Sequence, residues 1–283
     1  MTSKKEKQVL CPSECAQLAM MLEVCAWKKP GNVDRCHDYS DTWLEHFLAT
    51  TIFARPALEN AEKAQQSIGE IFYDAVLAST RHRGGNTHFG AFLLLIPLIY
   101  GKGIKEAQKA VKNTTTDDAI LFYKAFSKTA VRVRENDDTY DIHDPKVYDR
   151  LRAENQTMYT LMEYSAENDM IAREWTNSFA LSKWTASQLC EAYEGKEGTC
   201  GRDVISHVFL QLMAKEPDTF IAKKWGIQVA EDVNAKAKAV LAGSMSIHAF
   251  DAECIEKGIN PGSLADIMIA GLYLALMDGW AWE

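Results

Sequence analysis

The segment that most limits what this chain can fold into is Gly84–Leu98, GGNTHFGAFLLLIPL. It opens with two glycines and an Asn-Thr-His triplet, then becomes almost wholly apolar. The apolar run Ala91–Tyr100 is far shorter than the roughly 20 residues a bilayer-spanning helix needs. It must therefore be buried in the protein's own core, with a polar turn at its mouth. Such a turn fixes chemical groups at the edge of a core. Lys28–Asp41 (KKPGNVDRCHDYSD) and Asn260–Leu276 (NPGSLADIMIAGLYLAL) have the same form. These three ends are expected to meet at one site.

The rest of the chain reads as helix. Leu18, Met21, Leu22 and Cys25 recur at the spacing of one buried helical face, and that helix must stop before Pro30. A second helix is expected after an Asp41 or Thr42 cap. A third runs from Pro56 to Ser79 and buries Ile68, Phe72, Ala75 and Val76. Gly69 inside it implies close packing or a ligand beside Glu70. Asn86 or Thr87 can cap the next helix, in which Pro97 predicts a kink or an early end. Thr114/Asp117 and Thr115/Asp118 both have capping-box spacing. Arg132–Asp144 and Glu194–Gly201 read as connectors, Asn155–Trp184 as helix broken near Asn168-Asp169, and Phe220–Leu241 as one helix. Ser263 and Asp266 form a capping-box-like pair at the start of the last helix, which Gly279 closes. No sustained period-2 alternation occurs. The expectation is an all-α single domain over residues 1–283, a multi-helix bundle of about a dozen helices.

Charge and cysteine content narrow the function. The formal net charge is −8, so no global nucleic-acid footprint is expected, although a local cationic pocket still serves a nucleotide. No membrane span and no signal peptide are read. Seven cysteines at irregular spacing suit reduced thiols in a cytoplasm. The sequence sets no oligomeric state; a homodimer is compatible with it.

Candidate chemistry sits in the polar ends. Lys28, Lys29, Asn32 and Arg35 beside the Pro30-Gly31 turn suit phosphate groups. His37 and Asp38 are possible acid–base groups, and Asp41 lies in the same loop. Asn86, Thr87 and His88 fall where a helix N-terminus attracts anions. Asp117 and Asp118 offer carboxylates for Mg²⁺, and Glu70 is a third. An acid on an apolar face needs a partner, a metal or a raised pKa. Each also has a plainer reading as a solvated loop, a helix cap or an exposed acid. Cys11 and Cys15 lack a second ligand pair, which argues against zinc. No Walker loop, Gly-x-Gly-x-x-Gly, His-Glu-x-x-His or nucleophile elbow is present.

In chain order, LEVCAWKKPGNVDRCHDYSD, IGE at 68–70, GGNTHFGAFLLLIPL, TTTDDAILFYKAF, ENDMIAREW, PDTFIAKKWG and NPGSLADIMIAGLYLAL resemble the triphosphoribosyl-dephospho-CoA synthase family. The LLLIPL run is similar to its divergent archaeal and methylotroph-like branch. Phe89-Gly90 stands where well-known members carry a basic residue or lysine-glycine. The resemblance implies an all-helical fold and a transferase that joins ATP to 3′-dephospho-CoA with release of adenine. It implies that Lys28, Lys29, Arg35 and Mg²⁺ on Asp117, Asp118 or Glu70 hold the triphosphate. It leaves His37, Asp38 or His88 as the base, and Asn86 or a protonated acid as the donor to adenine. Glu23, Asp218 and Asp266 lie in the same segments and are further candidates. Two other readings stand beside this one: an ATP-dependent enzyme of one-carbon-carrier coenzyme biosynthesis, and a non-catalytic nucleotide-binding protein.

Overall fold

The computed structural model describes residues 10–129, 140–141, 144–193 and 201–282. Within them the chain forms sixteen helices and no β-sheet. They are α1 (Pro12–Val24), α2 (Leu44–Phe53), α3 (Arg55–Lys63), α4 (Ile68–Ser79), α5 (Phe89–Tyr100), α6 (Ile104–Lys112), α7 (Thr116–Phe126) and α8 (Val147–Ala153). They continue with α9 (Met158–Ser165), α10 (Met170–Thr176), α11 (Ala180–Tyr193), α12 (Gly201–Lys215), α13 (Thr219–Trp225), α14 (Ile227–Leu241), α15 (Ile247–Lys257) and α16 (Gly262–Met277). The all-α expectation holds, with more and shorter helices than expected. The two expected connectors lie largely outside the described residues.

Two apolar helices form the centre. In α5, Ala91–Ile99 are all buried, and in α16 so are Ile267–Ala275. Each fully buried Leu, Ile or Phe contributes about 1.5–3 kcal/mol relative to exposure. The remaining helices cover this pair: α16 packs on α11, α1, α12 and α5, while α3, α4, α6 and α10 also lie against α5. No described helix is long and apolar enough to cross a membrane.

Several local expectations are corrected. The buried face of α1 is Cys15, Ala16, Ala19, Met20 and Glu23, whereas Leu18, Met21, Leu22 and Cys25 are half-buried. Small alanines face the close-packed neighbours, and Glu23 is drawn inside by an ionic partner described below. The expected Pro56–Ser79 helix is two helices, because Ala64 adopts a left-handed conformation (φ 51°) and Ser67/Glu70 start α4 with a capping box. The α4 face itself is as expected: Ile68, Phe72, Ala75 and Val76 are buried. Gly226 (φ 95°) likewise separates α13 from α14.

Pro97 neither ends nor divides α5, which runs to Tyr100. A proline removes the N–H that would bond the carbonyl four residues earlier, here that of Leu93. The Trp175 indole N–H donates to this carbonyl at 2.8 Å. A buried side chain from α10 thus replaces the lost backbone donor, and no unsatisfied carbonyl remains to force a break.

Candidate functional site

Direct contacts join the three polar ends. Thr42 Oγ1 donates to the Gly84 carbonyl at 3.2 Å. Asn32 Nδ2 donates to Asn260 Oδ1 at 3.0 Å. Asp266, in the second turn of α16, lies against Gly90 in the first turn of α5 and accepts from the Ala91 N–H. The side chains at this junction divide into a closed group and an open one.

The closed group centres on Lys29, which is fully buried. Its ammonium donates to Glu23 Oε1 and to Asn32 Oδ1 at 2.8 Å. Its own N–H donates to Asp34 Oδ2 at 2.7 Å, and the ammonium lies 5.7 Å from the centroid of the Phe209 ring. Burial raises the Glu23 pKa and the Lys29 charge opposes that rise. Gly31 N donates to Asp251 Oδ1 at 3.1 Å, and Lys28 pairs with Asp251 at 3.4 Å. Lys29 was expected to hold phosphate. In this arrangement its charge is matched by Glu23, and it braces the loop from inside.

The other group, whose polar atoms are not saturated by partners, is Asp266 against Gly90, with the buried His88 at the start of the same helix. From Ser263 to Ala275 every residue of α16 is buried except Asp266, and from Phe89 to Ile99 every residue of α5 is buried except Gly90. The two exceptions touch. Within those two spans the partly exposed positions thus coincide. A Cβ on Gly90 would sit 2.1 Å from Asp266 Oδ2, so the carboxyl takes the space where a side chain would be. Burial, then the charge of Glu23, with Asp218 and Asp169 adding to it, raise the Asp266 carboxyl well above its ordinary range. The Ala91 N–H only partly opposes this.

His88 is the N-cap residue of α5, is 1% exposed, and has no hydrogen-bond partner on either ring nitrogen. Its ring packs on Phe47 and Phe92. Burial first, then the charges of Lys29 and His82, push its pKa down to about 3. A neutral imidazole of that basicity takes a proton poorly at neutral pH, which counts against the expected role of base. It can still donate and accept one hydrogen bond each.

The other candidates have defined places. Asn86 is exposed and its Oδ1 accepts from Phe89 N, so it caps α5 from outside the N-cap position. Thr87 is buried and shares a 2.7 Å hydrogen bond with Thr50. Arg35 is exposed, and its Nε donates to the Cys25 carbonyl. Asp38 and Asp41 are exposed; Asp38 Oδ1 accepts from Leu44 N and helps start α2, whose N-cap is Trp43 rather than Asp41 or Thr42. His37 Nδ1 stands 3.5 Å from Asp34 Oδ1, yet neither ring nitrogen makes a hydrogen bond. Asp218 is buried, accepts from Ile221 N and Leu264 N, and has its pKa pushed up to about 6 by burial. It thereby caps α16 from α13. The expected Ser263/Asp266 capping box is absent, since Pro261 is the N-cap without a side-chain cap.

The expected Mg²⁺ ligands do not assemble. Asp118 is buried; its Oδ1 accepts from Gly69 N at 2.8 Å, and its Oδ2 from Thr115 N and Thr115 Oγ1 at 2.7 and 2.8 Å. Glu70 is exposed and its carboxylate accepts from Ser67 N at 2.8 Å. Asp117 is exposed. Among the described residues no three His, Cys, Asp or Glu side chains are grouped to hold a metal. The three hydrogen bonds that Asp118 accepts leave it ill placed to ligate a resident Mg²⁺.

The family model described as ATP:dephospho-CoA triphosphoribosyl transferase matches residues 11–283. The chain belongs to this triphosphoribosyl transferase family. It is accordingly a transferase. A solved structure from Archaeoglobus fulgidus, described as a "putative triphosphoribosyl-dephospho-coA synthase", is similar to it at 25% identity with a TM-score of 0.68. That likeness covers 83% of this chain and all of the other. No curated protein matches the sequence.

For this triphosphoribosyl transferase, residues overlooked in the sequence are Asp34, Asp251 and Asn260. Asp34 and Asp251 are buried acids whose acceptors fix the Lys28–Gly31 turn. Asn260, next to Pro261-Gly262, was the visible signal: a polar amide before a helix start commonly turns inward to bond a neighbour. The position where a basic residue was expected, Phe89, is buried against Phe72, Phe122 and Phe126. It belongs to the core on the side of α4 and α7.

Proposed function

We propose that this chain transfers the triphosphoribosyl group of ATP to a hydroxyl of dephospho-CoA and releases adenine. The reading rests on the match of the family model to residues 11–283. In the reaction the C1′–N9 bond of ATP breaks with its electron pair leaving on adenine, and the acceptor oxygen bonds to C1′. The transition state carries oxocarbenium character, as in glycoside chemistry. Such a step needs an acid at adenine, a base at the acceptor hydroxyl, and cations at the triphosphate.

Arg35 and Lys28, on the loop beside the junction, supply positive charge to the phosphates. Mg²⁺ arrives on the nucleotide as part of the substrate. The neutral His88 hydrogen-bonds the ribosyl triphosphate at the start of α5. His37, with no hydrogen-bond partner of its own, takes the acceptor's proton. ATP and a phosphorylated coenzyme acceptor are the partners, in a reducing cytoplasm.

The test is to incubate the protein with MgATP and dephospho-CoA and to resolve adenine, ADP and pyrophosphate by chromatography. The expected result is adenine in equal amount to a triphosphoribosyl-dephospho-CoA product. ADP or pyrophosphate without adenine overturns the reading. Adenine formed only with another phosphorylated coenzyme retains the chemistry and changes the acceptor.

A further inference from the structure

We infer that Asp266 is the acid that protonates the departing adenine. The inference rests on the proposed function and assigns one of its roles to a particular atom group. Its geometry comes from the contact between the two central helices. Asp266 and Gly90 are the partly accessible positions in the otherwise buried spans 263–275 and 89–99. The carboxyl sits against the Gly90 backbone, within a space that any Cβ would fill. This places a carboxyl at the partly exposed contact between the two central helices, on the turn of α5 that begins with the buried, unpartnered imidazole of His88.

The surroundings favour a carboxyl that carries its proton. Glu23, Asp218 and Asp169 are the acids that act on it. The Lys29 charge closest to Glu23 is already matched by that residue. Ala91 N–H is the backbone donor that reaches the carboxyl. Buried carboxylic acids held neutral in this way serve as proton donors.

The step balances. As C1′–N9 breaks, the bonding pair stays with adenine, and the Asp266 hydroxyl gives its proton to a ring nitrogen of the purine. Adenine leaves neutral and Asp266 is left as a carboxylate. The acceptor oxygen closes on C1′ and its proton goes to His37. Proton exchange with solvent restores both groups.

The test compares ATP with N7-methyl-ATP, whose base is already cationic and leaves without a proton. For Asp266→Asn, kcat/KM on ATP is expected to fall about 10²- to 10⁴-fold, the range for loss of a general acid. On N7-methyl-ATP the same variant should stay within about tenfold of the wild type. Gly90→Ala, which keeps the carboxyl but displaces it, should show the same selectivity with smaller losses. Equal losses on both substrates, or an unchanged rate on ATP, overturn the role of Asp266 while leaving the proposed function standing. A wild-type protein that releases no adenine from either nucleotide with any acceptor overturns both.

Discussion

Two junctions in this fold use the same parts. At one, Gly69 in the first turn of α4 meets Asp118 in the first turn of α7. At the other, Gly90 in the first turn of α5 meets Asp266 in α16. In each, a glycine lets a carboxyl from a distant helix lie against a helix N-terminus. The difference is in the donors. Asp118 accepts three hydrogen bonds, from Gly69 N, Thr115 N and Thr115 Oγ1. Asp266 accepts from Ala91 N and otherwise has the acids Glu23, Asp218 and Asp169 acting on it. A carboxylate saturated by donors is a clamp, because its charge is stabilised and its lone pairs are used. A carboxyl with one donor beside other acids retains both its proton and its reach. The same division separates Lys29, matched by Glu23 and Asn32, from His88, which has no partner.

The closed groups should be costly to break. Glu23→Ala leaves the fully buried Lys29 ammonium without its anion, and a loss of about 3–5 kcal/mol is expected by denaturant unfolding. Replacing Glu23 by leucine together with Lys29 by methionine should recover most of that loss. A Glu23→Ala protein as stable as the parent would mean that Lys29 is not held as described.

His88 gives the next largest effect, and it depends on pH. Its folded pKa of about 3 lies below the ordinary 6.5. Between these values the unfolded chain binds the proton and the folded one does not, so the His88 contribution is complete above pH 6.5 and is lost as pH falls. At pH 4 the loss is roughly 3 kcal/mol at 1.36 kcal/mol per unit. Asp218, raised from 3.8 to about 6, acts with the opposite sign across that interval, so the parent's curve is a sum. The difference between parent and His88→Phe isolates the histidine. The variant should lose roughly 3 kcal/mol less between pH 6.5 and 4, read from urea midpoints at each pH. Parallel curves would mean that His88 is solvated or bonded in solution.

The glycines give the smallest and most direct contrast. A Cβ on Gly69 would lie 2.5 Å from the Asp118 Cα, a backbone atom, and Gly69→Ala should cost about 1–3 kcal/mol through overpacking. A Cβ on Gly90 meets the end of a side chain that can rotate away, and alanine gains up to about 1 kcal/mol in helix propensity. Gly90→Ala should therefore change stability by less than about 1 kcal/mol. Reversal of that order in thermal unfolding would break the comparison.

The sequence made much of this legible. The α4 face followed from its helical spacing, Thr115/Asp118 from capping-box spacing, and the meeting of three polar ends from their shared turn-then-helix form. The buried face of α1 was not legible, because alanines and one acid face the neighbours while larger residues lie at the margin. The break at Ala64 was hidden by a strong helix former in a left-handed conformation, although Ser67-x-x-Glu70 was there to be read as a new start. Whether Asp118 or Asp266 was the clamp could not be read at all. Each is an aspartate near a helix start, and only the donors brought by Gly69, Thr115 and Ala91 tell them apart.

The pairing of α5 with α16 also governs how the molecule comes into being. Gly90 and Asp266 come from opposite halves of the chain, so their contact closes late in synthesis, and folds built on such distant contacts form slowly. Until α16 emerges, the apolar surface of α5 lacks its main cover and is open to association with other nascent chains. Interruption before α16 removes the main cover of α5 and the proposed acid Asp266 in one stroke. A folded fragment that carries α5 without α16 is therefore not a product that stalled translation can leave behind.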